Sequence, residues 1–178
     1  MTDTIQEPRA SEAAEESRVR PGGKTLALTR IALSLVFLWP ALDKTFGLGY
    51  ATPSGQAWID GKSPTSGYLM GQEGTFGSLF SGMSGNALVD VLFIGGMAAV
   101  GVALLLGIGM RLAAFGATCL MGMLYLSAMP LANNPVMDEH LVYVVLAIAL
   151  AASRAGDTLG FGAKWGDLGL VRSMPWLK

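Results

Sequence analysis

The stretch DVLFIGGMAAVGVALLLGIGMR, Asp90 to Arg111, contains twenty consecutive residues without a formal charge between its charged ends. As a helix rising ~1.5 Å per residue, it is long enough to cross a bilayer core of ~30 Å. Directly after Arg111 the pattern repeats, with Leu112 to Ala132 uncharged before the break Asn133-Asn134-Pro135. Two shorter apolar runs flank this pair: Ile31 to Leu42, between Arg30 and Asp43, and Leu141 to Ser153, between His140 and Arg154. Neither shorter run spans unless its charged ends enter the membrane. The pattern predicts an all-α membrane protein, a four-transmembrane-helix bundle with helices at roughly 25–46, 86–109, 111–132 and 135–155.

Composition points the same way. Of 178 residues, 52% are hydrophobic and 14% charged, against about 25% charged in an ordinary soluble domain. A net charge of −1 excludes a surface built to neutralise nucleic-acid phosphates. The lone Cys119 excludes an internal disulfide and a CxxC dithiol. Residues 1–24 read as a disordered cytoplasmic tail, because Glu7, Glu12, Glu15, Glu16, Arg18 and Arg20 offer little apolar surface to bury. The first apolar run follows this polar segment and leads into Asp43 and Lys44 instead of a small-residue cleavage site, unlike a signal peptide. Residues 25–156 form the expected membrane domain and 157–178 a cytoplasmic interfacial tail.

The basic residues set an orientation. With the N-terminus inside, Arg9, Arg18, Arg20, Lys24, Arg30, Arg111, Arg154, Lys164, Arg172 and Lys178 fall on the inner side, and only Lys44 and Lys62 outside. This bias places both termini in the cytoplasm and the long first loop, 47–84, outside. Gly95, Ala99, Ala103 and Gly107 recur every fourth residue, as do Ala114, Thr118 and Gly122, which suits close packing within the bundle or between two copies in a homo-oligomer. Arg30 and Arg154 are expected to snorkel to the inner headgroups.

Under this topology Asp43, Lys44, Asp90, Asp138, Glu139 and His140 gather at the outer end. Ionisable groups in a membrane span are costly and point to function, while a Lys44–carboxylate ion pair at a wet helix end is the structural alternative. Asn134 and Pro135 fit a helix start, with Asn134 capping and Pro135 at the first helical position, which sets His140 about a turn and a half inside, near Tyr143. As the only histidine, His140 excludes a bis-histidine haem; the methionines read as fillers, and neither a haem nor a bound metal is expected. Gly160-Phe161-Gly162 lacks the strand and helix that would make it a phosphate loop. The first loop carries Trp58, Tyr68, Phe76 and Phe80, which suits interfacial segments lying as a lid over the outer polar cluster.

Taken in order, Arg30, Leu38-Trp39-Pro40, Asp43-Lys44-Thr45-Phe46-Gly47-Leu48-Gly49, Ala57-Trp58-Ile59, Ser63-Pro64-Thr65, Gly67, Asn133-Asn134-Pro135, Asp138-Glu139-His140, Ala155-Gly156 and Leu159-Gly160-Phe161-Gly162 resemble the DoxX/DoxD family from about residue 25 to about 168. The resemblance implies a four-helix protein of a bacterial or archaeal cell membrane. Its DoxD branch is the small membrane subunit of thiosulfate:quinone oxidoreductase, which passes electrons from thiosulfate to a membrane quinone and yields tetrathionate. It further implies a companion subunit, present as a second chain or a fused segment.

The residues can be assigned to that chemistry. His140 with Asp138 or Glu139 would supply a hydrogen-bond donor and a proton route to a quinone, and Asp43 would join them. Lys44 and Lys62 would attract the thiosulfate anion. Trp39, Trp58, Tyr143 and Phe46 would stack on the quinone ring, with Asp90 and Asn134 also at its site. The alternative is a non-catalytic membrane scaffold that recruits a soluble redox or stress-defence enzyme. Transport has less support, since the span containing Asp90 carries no midplane charge.

Overall fold

The computed structural model describes residues 22–178, all-helical with no strand among them. Four long helices carry the fold: α1 Gly23–Phe46, α2 Ala87–Leu106, α3 Met110–Ser127 and α4 Glu139–Ala152. The first three are long and apolar enough to cross a membrane; α4, at 14 residues, is shorter. The expected tail falls mostly outside the described residues, but Gly23 and Lys24 already belong to α1.

Local chemistry sets the ends of these helices. Pro40 lies inside α1 without stopping it, and the helix closes at Gly47, whose φ of 64° is one glycine tolerates. Asn86 caps α2 by accepting from the Leu88 amide at 2.9 Å. The turn to α3 runs through Gly107 and Gly109, both at positive φ, so α2 ends at Leu106 and not near 109. Helix α3 stops at Ser127, short of the expected 132, because Pro130 removes a donor and forces the residue before it out of helical angles.

The start of α4 also differs from expectation. Asn134 does not cap it; its Oδ1 accepts from the Val136 and Met137 amides at 2.9 and 3.0 Å, closing a local turn. The cap is Asp138, which accepts from the Leu141 amide at 3.1 Å. His140 is therefore the second residue of the helix and stands at its mouth.

Helix α1 packs along α2, α2 on α3 and α3 on α4, and α4 returns to touch α1. The core rows are Leu33, Phe37 and Ala41, then Met97, Val100 and Leu104, then Ala113, Ala117 and Met121, then Val144, Ala147 and Leu150, each at three- or four-residue spacing. The outward faces are equally apolar, with Leu92 63%, Phe115 70% and Val145 59% exposed, as expected of helices that meet lipid. The small-residue row of α2 is split, with Ala103 packed against the core and Gly107 buried. Gly95 and Ala99 are exposed, while Gly101 is the residue that lets α1 approach, a Cβ there falling 2.6 Å from Leu38.

The two ends of the bundle differ. The loop end carries residues 47–86 and 128–138. The first of these connections holds a 3-10 turn, Trp58–Asp60, and short helices Ser66–Met70 and Gly77–Gly82. It is pinned to α3, with Tyr68 Oη 2.7 Å from Ser127 Oγ and the Thr75 amide donating to the Met129 carbonyl at 2.9 Å.

At the turn end Arg30 does not snorkel: it is fully buried. Its guanidinium donates to the carbonyls of Leu104, Leu105 and Leu159, the last two at 2.8 Å. The Phe161 amide takes the Leu106 carbonyl at 2.8 Å. The last carbonyls of α2, which no helix can satisfy internally, are thus capped by a cation from α1 and by the segment after α4. Glycines make this approach possible, since a Cβ on Gly156 would collide with the Gly107 carbonyl.

Candidate functional site

The structure places every sequence-selected group at the loop end, but in separate local sets. Asp43, three residues before the end of α1, is 1% exposed. Its Oδ1 accepts a long hydrogen bond, 3.3 Å, from the Tyr50 amide. Its Oδ2 is buried with no partner among the described residues, which leaves one acceptor oxygen open to a donor. The Tyr50 ring stands edge-on to Trp39, with centroids 4.9 Å apart.

Asp90 is buried one turn into α2. Its Oδ1 accepts from Ser63 Oγ at 2.9 Å, the Thr65 amide at 3.3 Å and Thr65 Oγ1 at 2.5 Å. Asp90 therefore latches the first loop onto α2. The signal for this latch lay in Ser63-Pro64-Thr65, where a rigid proline separates two hydroxyl donors.

Lys44 and Lys62 line one cavity of about 470 Å³, together with Thr52, Gln56, Ser63, Ser66 and Tyr68. Lys44 forms no ion pair with a carboxylate among the described residues. Two cations with hydroxyl and amide neighbours and no acidic residue in the lining make a setting suited to a small anion. Trp58 is half-buried at the start of its 3-10 turn, outside this lining.

The third set opens α4. His140 Nδ1 lies 2.7 Å from Asp138 Oδ2. Asp138, Glu139 and His140 bring one ligand-type atom each within 4.8 Å of one another, and Tyr143 packs against the core one turn on. Among the described residues no hydrogen bond or ion pair joins this set to Asp43, Lys44 or Asp90. Asn134 remains in its own turn ahead of the helix.

Burial pushes the Asp138 carboxyl up, but hydrogen bonds from the His140 side chain and the Leu141 and His140 amides, with attraction to His140, outweigh it and hold it below the usual carboxylate range. A lowered folded value adds stability above the unfolded carboxyl value of about 3.9, and that stability is lost as pH falls through the folded value. In thermal melts Asp138→Asn should therefore be less stable than the parent at pH 7. The gap should narrow as pH falls below about 4, and a gap of constant size across the acid range would place the effect elsewhere.

Sequence reasoning missed Tyr50, Tyr68 with Ser127, and the donors that hold Asp90. No known family model, curated protein or solved structure matches the chain.

Proposed function

We propose that the chain is an integral membrane subunit of a quinone-linked oxidoreductase, resembling the DoxD subunit that takes electrons from thiosulfate. The observation that carries this reading is the pairing of Lys44 with Lys62 on one hydroxyl-rich cavity at the loop end. The positive-inside bias of the sequence puts that end outside a bacterial or archaeal cell membrane, with four spans and both termini in the cytoplasm.

Thiosulfate would enter between Lys44 and Lys62. Two thiosulfates join through a new S–S bond to give tetrathionate and release two electrons. The quinone takes both electrons and two protons to become quinol. His140 with Asp138 and Glu139, at the open mouth of α4, relays protons from water, and the orphaned Asp43 oxygen beside Tyr50 and Trp39 accepts a hydrogen bond from a quinol hydroxyl once the ring is reduced. Tyr68 lines the cavity, and Asp90 positions it through Ser63. A companion oxidoreductase subunit completes the electron path.

Thiosulfate-dependent reduction of a quinone analogue by the purified protein, alone and with any co-purifying partner, tests the reading. Lys44→Gln and Lys62→Gln are expected to raise the thiosulfate KM roughly tenfold or more, by removing a charged hydrogen bond to the anion. His140→Ala is expected to lower kcat instead. Absence of activity in both preparations, with a soluble redox enzyme retained on the column, would replace this reading with the scaffold. Full activity in all three variants would remove the site.

A further inference from the structure

The turn end of the bundle holds a second cavity, of about 500 Å³, that the reading above does not use. One wall is apolar, built from Ala114 of α3 and Ile148, Ala151 and Ala152 of α4. Ile148 and Ala152 are also exposed on the outer flank of α4, so this wall runs on into the surface that meets lipid.

The rest of the lining is cationic. Arg111, Arg154 and Lys178 contribute to it, and Asp157 is the one acidic side chain in the lining. Asp157 is committed to Arg154, with Nη2 to Oδ2 at 2.8 Å. Arg111 Nη1 spends one donor on the Pro175 carbonyl at 3.0 Å. Its amide holds the Lys178 carbonyl at the same distance, which keeps the lysine at the cavity. Lys178 Nζ is in no ion pair among the described residues. Three cations against one carboxylate leave an excess of positive charge beside an apolar wall.

A ligand that uses both parts of the lining carries a phosphate and a hydrocarbon chain. We propose that this cavity binds an anionic phospholipid, its phosphate against Arg154 and Lys178 and an acyl chain along Ile148 and Ala152. A free phosphate would leave the apolar wall unused. A zwitterionic headgroup would bring its own cation into a cationic lining, so the site selects net negative charge.

The test uses the full chain in mixed micelles, with bound lipid counted by native mass spectrometry. Phosphatidylglycerol is expected to be retained in preference to phosphatidylcholine. Arg154→Gln and Lys178→Gln should each weaken retention roughly fivefold. Arg172→Gln, which removes an exposed cation paired with Asp167 outside the cavity, should leave it unchanged. Inorganic phosphate in millimolar excess should not displace the lipid. Equal retention of both lipids, displacement by phosphate alone, or a double variant Arg154→Gln/Lys178→Gln that retains phosphatidylglycerol as the parent does would each overturn the proposal. Circular dichroism of the variants separates loss of the site from loss of the fold.

Discussion

Arg30→Met is expected to destabilise the protein by roughly 3–5 kcal/mol, read as an early thermal transition in detergent. The methionine fills much of the space of the arginine stem but donates nothing. The carbonyls of Leu105 and Leu159 lose the hydrogen bonds they receive at 2.8 Å, and Leu104 keeps only its bond from the Gly107 amide. Each partly buried acceptor so abandoned costs up to about 1–3 kcal/mol. The cation also sits at the negative end of α2, an interaction that vanishes with it. Leu159 adds to the effect, because its φ of 48° is unfavourable for a side chain with a Cβ and is held in place by that contact. Arg30→Lys should fall between the parent and Arg30→Met, since one ammonium cannot reproduce a planar fork that reaches carbonyls on two segments. A melting curve for Arg30→Met that overlays the parent's would rule out the capping role.

Asp90→Ala is expected to release the first loop and cost about 2–4 kcal/mol. Three donors, Ser63 Oγ, the Thr65 amide and Thr65 Oγ1, converge on a single carboxylate oxygen. Hydrogen bonds to a charged acceptor are worth more than neutral ones, and the Thr65 pair is buried. Limited proteolysis should then cut between residues 47 and 84 at a rate at least about tenfold above the parent's. Asp90→Asn retains an acceptor oxygen without the charge and should lose less than half as much. The latch residue Ser63 also lines the cavity with Lys44 and Lys62. Under the proposed function, Asp90→Ala should therefore raise the thiosulfate KM too, although Asp90 touches no part of that cavity. Loop cleavage at the parent's rate would show that the loop is held by its other anchors, at Ser127 and Met129.

The helices were legible because an apolar run of twenty residues has few alternatives to a membrane helix, and because Gly47 marks the end of α1 without competition, whereas Gly107 and Gly109 compete for the end of α2. The helix boundaries near prolines were less so. Pro135 fits the first turn of a helix, yet Asn134 closed a turn of its own and left the cap to Asp138 four residues later; both are good caps, and only packing against α3 decides between them. Arg30 misled for a different reason. An arginine at the edge of an apolar run normally reaches for headgroups, and the carbonyls that bury it come from residues more than seventy positions away. Periodicity along one helix carries no trace of such a contact. The same limit applies to Asp90, whose partners lie in a loop, and to the small-residue row, where the spacing of Gly95 and Ala99 marks a smooth face but not which neighbour meets it. That the charges of the candidate site share one end of the bundle was legible from their places at the helix ends, while their grouping into three separate sets depended on how the loop folds back.

The short fourth helix has a consequence for the bilayer itself. Its 14 residues rise only about 21 Å against a hydrocarbon core of ~30 Å. With the other three helices long enough to span, that shortfall is confined to one flank of the bundle. In the proposed four-span arrangement, a mismatch of about 9 Å would be met by local thinning of the lipid or by water drawn down along that flank. Either way, the His140–Asp138 pair at the mouth of α4 would come within reach of bulk protons while remaining level with the tails of neighbouring lipids. A lipid-soluble molecule drifting sideways in the membrane and a proton arriving from water would meet there without either having to cross the other's phase.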